Sequence, residues 1–347
     1  MTQAAPLAPT PLASIPRAAD DILAGLRVPV IAAPMLIVSG PELVIAACRA
    51  GVIGSFPTAN PRGDGELEVW LAGIEAALRE PADGRQPVAP YIPNLIVHKS
   101  NIRLEQDLAT LLAHRPVAVI TSVGSPEHVV PRLHAEGIQV WSDVASMRHA
   151  RRAIEAGVDG LILLTAGAGG QTGHANPLAF VRAVRSMFGG LIAVSGGQSD
   201  GWSLWALQAL GCDLGYMGTR FIATTEANAV RAYKDMVVDS ELDDIHLTNA
   251  FSGLPTNMMR KSMLAQGLDP DEFGLGTPEF VMARLSGNGG ADGPAGPRRY
   301  RDIWSAGHSV SGVRDVPSVA DVVDRLAAEY AQARAATAAL LAGPCGR

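Results

Sequence analysis

Two glycine-bearing segments stand about twenty residues apart: Ser195-Gly196-Gly197, closing the apolar run 191–196, and Met217-Gly218-Thr219-Arg220, closing the run 213–218. Glycines at such places let backbone N–H groups converge on phosphate oxygens with no Cβ in the way. Between Thr165 and His174 the chain reads TAGAGGQTGH, four glycines in ten residues. That composition costs backbone entropy, so the segment is expected to lie against a flat ligand, with Gln171 or His174 reaching the reacting atoms. Ala32-Ala33-Pro34-Met35 ends another apolar run, and its small residues would let a large planar ring rest on the backbone.

These residues need a scaffold that brings several strand ends together. Apolar runs at 28–33, 52–55, 87–92, 117–121, 138–142, 159–165, 191–196 and 213–218 carry few alternating polar residues, as expected of strands buried on both faces of a parallel sheet. Amphipathic stretches at 41–50, 65–79, 103–114, 126–136, 145–156, 177–187 and 200–210 separate them. Pro126 and Pro177 fit first helical positions, and Gly51, Gly137, Gly157 and Gly211 fit helix ends. The phrase of helix, glycine and hydrophobic strand recurs in ACRAGVIGS, LHAEGIQVW, IEAGVDGLIL and QALGCDLGYM. Eight strands alternating with helices predict an α/β fold, a (β/α)8 TIM barrel; a doubly wound open sheet is the rival. Ligands of such barrels bind at the C-terminal strand ends, where the glycine segments fall. The expected organisation is a flexible lead-in at 1–20, a barrel from 21–224 and 301–347, and a helical, lid-like insertion at 225–300 ending in a Gly/Pro-rich loop.

The 347 residues carry 28 Lys+Arg against 34 Asp+Glu, a formal charge of −6, which offers no basic footprint for nucleic acid. Aromatic residues at 5% are too few for a base-stacking platform. No apolar run reaches the roughly 18 residues of a membrane span. Cys48, Cys212 and Cys345 are odd in number and far apart, without a CxxC. They predict no disulfide framework and no metal site, and they fit the cytoplasm.

The APM after the first strand, AGVIGS at the second, AGVDGLILLTAGAGGQTG at the sixth, SGGQSDG, YMGTRFIAT and IWSAG together resemble the nitronate monooxygenase family, formerly called 2-nitropropane dioxygenase. The similarity spans about residues 25–341 and implies a barrel that holds FMN. By that resemblance Ser195, Gly196, Gly197, Gly218 and Thr219 bind the phosphate, Ala33, Pro34 and Met35 bed the flavin ring, and Gly169 and Gly170 lie along it. Asn94 matches an asparagine at the end of the third strand, and Ser305 begins a segment returning to the site. The departures are specific. Gln171 stands where the family usually has a histidine that acts as base or positions substrate, and His174 comes three residues later. Asp143 stands where some relatives have a lysine near the flavin's pyrimidine edge, and Leu36 replaces a common glutamine.

The resemblance implies oxidation of an alkyl nitronate with O2 to a carbonyl compound and nitrite. A substrate arriving as an anion needs no strong base, and Gln171 could donate a hydrogen bond to a nitro oxygen. Two alternatives stand beside it: an NAD(P)H-dependent reductase of quinones or enoyl thioesters, and a flavin-binding protein without turnover. No GxGxxG follows the first strand, which favours FMN over a dinucleotide. A homodimer is compatible with the family. Among other polar residues, His98 and Lys99 read as a solvated loop and His114, His128, His134 and His149 as surface or capping residues. Asp200 reads as a helix cap, and His308 as a second candidate for the pocket wall.

Overall fold

A computed structural model describes residues 20–79, 88–276 and 301–342. Most of the expected lead-in, the expected Gly/Pro-rich loop and Cys345 lie outside the described residues. Eight parallel strands form one sheet: β1 (Val30–Ala32), β2 (Ile53–Gly54), β3 (Asn94–Ile96), β4 (Ala118–Ser122), β5 (Gln139–Val144), β6 (Gly160–Leu164), β8 (Leu191–Ser195) and β9 (Leu214–Met217). Their order is β2-β1-β9-β8-β6-β5-β4-β3. Isolated parallel bridges Gly54–Tyr91 and Pro57–Asn94 join its two ends. The sheet therefore closes on itself, and the expected barrel is what the chain forms.

Burial explains the apolar strands. Ile31, Ile53, Ile92, Ile120, Trp141, Ile162 and Leu214 pack in one cluster inside the barrel, and Leu23 and Leu26, at and just beyond the helix Asp20–Ala24, pack against it. Trp141 is fully buried and needs a gap in its neighbour: a Cβ on Gly160, its register partner in β6, would lie 2.7 Å from the indole. Helices Pro41–Arg49, Glu66–Arg79, Leu104–His114, Val130–Ala135, Met147–Glu155, Pro177–Arg185 and Gly201–Leu210 alternate with the strands. Their apolar stripes bury against the sheet's outer face in two further clusters. Asp200 caps its helix as expected, accepting from the Ser203 N–H at 2.7 Å in a capping box.

Two elements differ from the sequence reading. The third strand falls at Asn94–Ile96 rather than 87–92. Pro90 and Pro93 have no N–H to give a ladder, and residues 88–93 instead make a strap, with Ala89 N–H donating to Cys48 O and Ile92 N–H to Gly54 O, each at 2.9 Å. The insertion is mixed rather than helical over its described residues. Beside the helices Arg231–Val238 and Arg260–Ala265 it holds β10 (Ile245–Thr248) and β11 (Thr256–Met259), an antiparallel hairpin. Leading out of the barrel's sixth strand, the short β7 (Gly170–Gln171) adds to that hairpin, Gln171 opposite Thr256 and Gly170 opposite Asn257. Among the described residues no helix is long and apolar enough to cross a membrane.

Candidate active site

The strand ends surround a cavity of about 360 Å³, within the range of ligand pockets. Its floor carries Asn94, Ser122, Asp143, Leu164, Ser195 and Tyr216, one from each of six barrel strands. Ala33, Pro34, Met35, Leu36 and Val38 form one wall, and Gly169, Gly170 and Gln171 another. Gly218, Thr219, Ile222, Tyr233 and Ser305 complete the enclosure, with His98, Ser100, Ser252 and Leu254 on loops at the mouth. Twelve residues singled out from the sequence thus meet here: Ala33, Pro34, Met35, Asn94, Asp143, Gly169, Gly170, Gln171, Ser195, Gly218, Thr219 and Ser305.

Gly196, Gly197 and His174 stand outside that lining. Gly196 (φ +121°) is packed: a Cβ would lie 2.5 Å from Thr165 Oγ1 and 3.0 Å from Ala168 N. Gly197 (φ +83°) is exposed and has nothing within 4 Å of its Cβ position. His174 is exposed, for a reason found one residue earlier. A Cβ on Gly173 would lie 2.2 Å from Leu164 O and 2.9 Å from Ala145 O. The chain presses against the barrel there, turns outward, and carries His174 away from the cavity.

The wall at Gly169–Gln171 is held from three directions. Asn257 Nδ2 donates to Ala168 O at 2.7 Å, β11 pairs with β7, and the returning segment lies close enough that a Cβ on Gly169 would be 2.8 Å from Gly307 N. Gly307 N–H in turn donates to Thr219 Oγ1 at 2.8 Å, and Tyr233 OH donates to Ser305 O. The segment Ser305–Gly307 therefore ties the sixth-strand loop to the last barrel strand. His308 lies behind it, outside the lining; its Nδ1 would be 2.7 Å from a Cβ on Gly167. Gln171 lines the cavity, and its half-buried carboxamide makes no hydrogen bond among the described residues.

Asp143, Tyr216 and His98 are titratable groups that line the cavity. Asp143 shows some surface to the cavity, yet its Oδ1 is sealed and unpartnered, and burial pushes the carboxyl up to about 7. Tyr216 beside it is held well above the ordinary phenol range, first by burial and then by the Asp143 charge. His98, read from the sequence as a solvated loop residue, is exposed but lines the cavity mouth. Ser100 N–H donates to its Nδ1 at 3.2 Å, and Ser100 Oγ lies 2.7 Å from the same nitrogen. A backbone N–H can only donate, so Nδ1 is the acceptor and the neutral ring carries its proton on Nε2. Such an imidazole offers a donor to the cavity. The signal in the sequence was its place four residues after Asn94, on the same strand-end loop. Among the described residues no group of His, Cys, Asp and Glu could hold a metal ion.

Comparison with known proteins agrees with this architecture. A curated nitronate monooxygenase from Paraburkholderia phytofirmans is 26% identical, covering 89% of this chain and 94% of its own length. FabK from Thermotoga maritima superposes with a TM-score of 0.74 at 21% identity, covering 94% of this chain and all of that one. Nitroalkane oxidase from Streptomyces ansochromogenes does so with a TM-score of 0.72 at 23% identity, covering 91% and 99%. The family profile described as nitronate monooxygenase matches residues 20–329, a span that takes in every wall of the cavity. The chain belongs to the nitronate monooxygenase family, and is an oxidoreductase that takes a flavin.

Proposed function

We propose that this enzyme binds FMN and acts as a nitronate monooxygenase, converting alkyl nitronates and O2 to carbonyl compounds and nitrite. Family membership supports the reaction class, and one observation carries the choice of substrate form. The mouth offers donors, the Gln171 carboxamide and His98 Nε2, while His174, the imidazole of the sixth-strand loop, is turned outward. Donors suit a substrate that arrives as an anion; they do not abstract a proton from carbon.

The cavity suits FMN in three respects. Ala33, Pro34 and Met35 offer a small, apolar bed for a ring. A Cβ on Gly218 would make only ordinary contact, 3.5 Å from Met35 Sδ, and Gly197 opens onto free space, so backbone is accessible where the phosphate is expected. Asp143 gives the floor a carboxyl that shows part of its surface to the cavity, although its Oδ1 is sealed. In this reading Ser195, Gly218 and Thr219 hold the phosphate, with Gly196 and Gly197 at its rim, while Asn94 and Asp143 face the ring's polar edge. The bound flavin supplies the redox chemistry, electron transfer from the nitronate and onward to O2. Gln171 orients the substrate by donating to a nitro oxygen, and Leu36, Ile222 and Leu254 add apolar surface to the lining.

Purified protein should show flavin absorbance at about 370 and 450 nm, and the released cofactor should run as FMN. Preformed alkyl nitronates should yield nitrite under O2 far faster than the neutral nitroalkanes. Released FAD, or rapid bleaching by NADH or NADPH without nitronate turnover, would overturn the reading. Gly218→Asp places a carboxylate where the phosphate is expected and should strip the flavin; full occupancy in that variant would remove the phosphate assignment.

A further inference from the structure

The loop after β1 is built from unusual parts. Ile37 has φ +70°, a left-handed conformation that β-branched residues rarely adopt. It stands on a thin partition. Met35 and Leu36 line the flavin cavity on one side, and Ile37 lines a second recess of about 400 Å³ on the other, with Val38 common to both. Val38 and Met35 pack in the core on either side, but Ile37 itself is exposed, so packing does little to hold its strained backbone.

Hydrogen bonds do that instead, and one side chain supplies three of them. Asn60, in the turn after β2, accepts from Ile37 N–H at 2.9 Å through Oδ1. Its Nδ2 donates to Met35 O at 3.0 Å and to Ser39 O at 2.8 Å. The amide fits only this way round, since Ile37 N–H is a donor and the two carbonyls are acceptors. Ser39 Oγ, accepting from Met35 N–H at 3.0 Å, and Asn228 N–H, donating to Val38 O at 2.9 Å, brace the flanks but leave the Ile37 amide to Asn60. We propose that Asn60 is a positioning residue, which holds Met35–Ser39 in its left-handed arc and so fixes the wall on which the cofactor ring rests. That Met35 faces a flavin rests on the reading above; the clamp itself does not.

The test therefore has one arm without flavin and one with it. In apoprotein, Asn60→Ala should speed amide deuterium exchange in peptides spanning 33–39 by about tenfold or more, as local opening is released. Peptides from the far side of the barrel should exchange unchanged. In holoprotein, the same variant should bind FMN about tenfold or more weakly. Ile37→Gly removes the steric cost of the left-handed arc, so Asn60→Ala combined with Ile37→Gly should recover most of the FMN affinity. Asn60→Asp, which keeps the acceptor for Ile37 N–H and loses both donors, should fall between wild type and Asn60→Ala. Unchanged exchange over 33–39 in Asn60→Ala would overturn the clamp, as would a double variant no better than the single one. Should Asn60→Ala not fold, Asn60→Asp read by the same exchange experiment decides: wild-type exchange sinks the proposal. Wild-type protein that takes no FMN would count against the proposed function and leave the exchange result standing.

Discussion

Gln171 and His174 sit three residues apart and have opposite surroundings: one lines the cavity with an unengaged carboxamide, the other faces solvent. Steady-state rates on a preformed nitronate should therefore fall roughly ten- to a thousandfold in Gln171→Ala, the scale of losing one oriented donor. His174→Ala should stay within about twofold of wild type. Loss of activity in the His174 variant would show that the loop rearranges to bring the imidazole inward. Asp143 makes a different statement, about stability and pH. Burial pushes its carboxyl up to about 7 in the folded chain against an ordinary 3.8. The folded state thus holds a proton that the unfolded chain has released between those values. The resulting penalty is absent below about pH 4, grows as the pH rises to about 7, and is full above it. Asp143→Asn should stabilise the apoprotein at pH 8 by about 2–4 kcal/mol and change little at pH 4. Urea unfolding at the two pH values measures this; equal effects at both would show the carboxyl to be solvated.

At the scale of elements, the cavity is shaped by pieces that lie outside the barrel rhythm. The hairpin β10–β11 reaches across to β7, and Asn257 ties it to the Ala168 carbonyl in a buried bond of 2.7 Å. Asn257→Ala strands that carbonyl and should cost about 1–3 kcal/mol. It should also loosen the wall at Gly169–Gln171, so its KM for nitronate should rise more than its thermal stability falls. A drop in melting temperature with unchanged kinetics would make Asn257 a purely structural residue. Backbone strain gathers at the same end of the barrel. Of the three non-glycine residues with positive φ among the described residues, the two β-branched ones are Ile37 and Val123, each in a loop at the cavity. The third, Arg115, ends a helix.

For the whole molecule, the two ends of the barrel divide the work. The C-terminal end holds the cavity; the opposite end holds a buried ion pair. Arg185 Nη2 lies 2.6 Å from Asp213 Oδ2, which also accepts from Ile192 N–H at 2.8 Å. This pair joins the helix Pro177–Arg185 to the starts of β8 and β9. Asp213→Ala takes the carboxylate away from a buried guanidinium and should cost about 3–5 kcal/mol. Denaturant midpoints should fall accordingly, while flavin affinity in the folded fraction stays near wild type, because conserved chemistry and scaffold stability sit at opposite faces of such barrels. A Kd for FMN shifted as strongly as the stability would mean that the two ends are coupled.

Local order made much of this legible. Apolar runs without alternation, glycines at helix ends and prolines at helix starts depend on near neighbours in the chain, so the strand–helix rhythm and its barrel followed from the sequence. So did the placing of Ala33–Met35, Ser195 and Gly218 around one cavity, since strand ends in a barrel converge wherever the strands are, whereas Gly196 and Gly197 fall outside its lining. The remainder was decided by contacts with no local signature. Asn60 reaches 25 residues back to Met35, and Asn257 reaches 89 residues back to Ala168. Whether an imidazole faces the cavity depended on Gly173 meeting the Leu164 and Ala145 carbonyls, and on Ser100 folding back on His98. The residue types at the site were determined along the chain; their orientation came from packing, because a side chain's direction is set by whichever distant backbone occupies the space beside it.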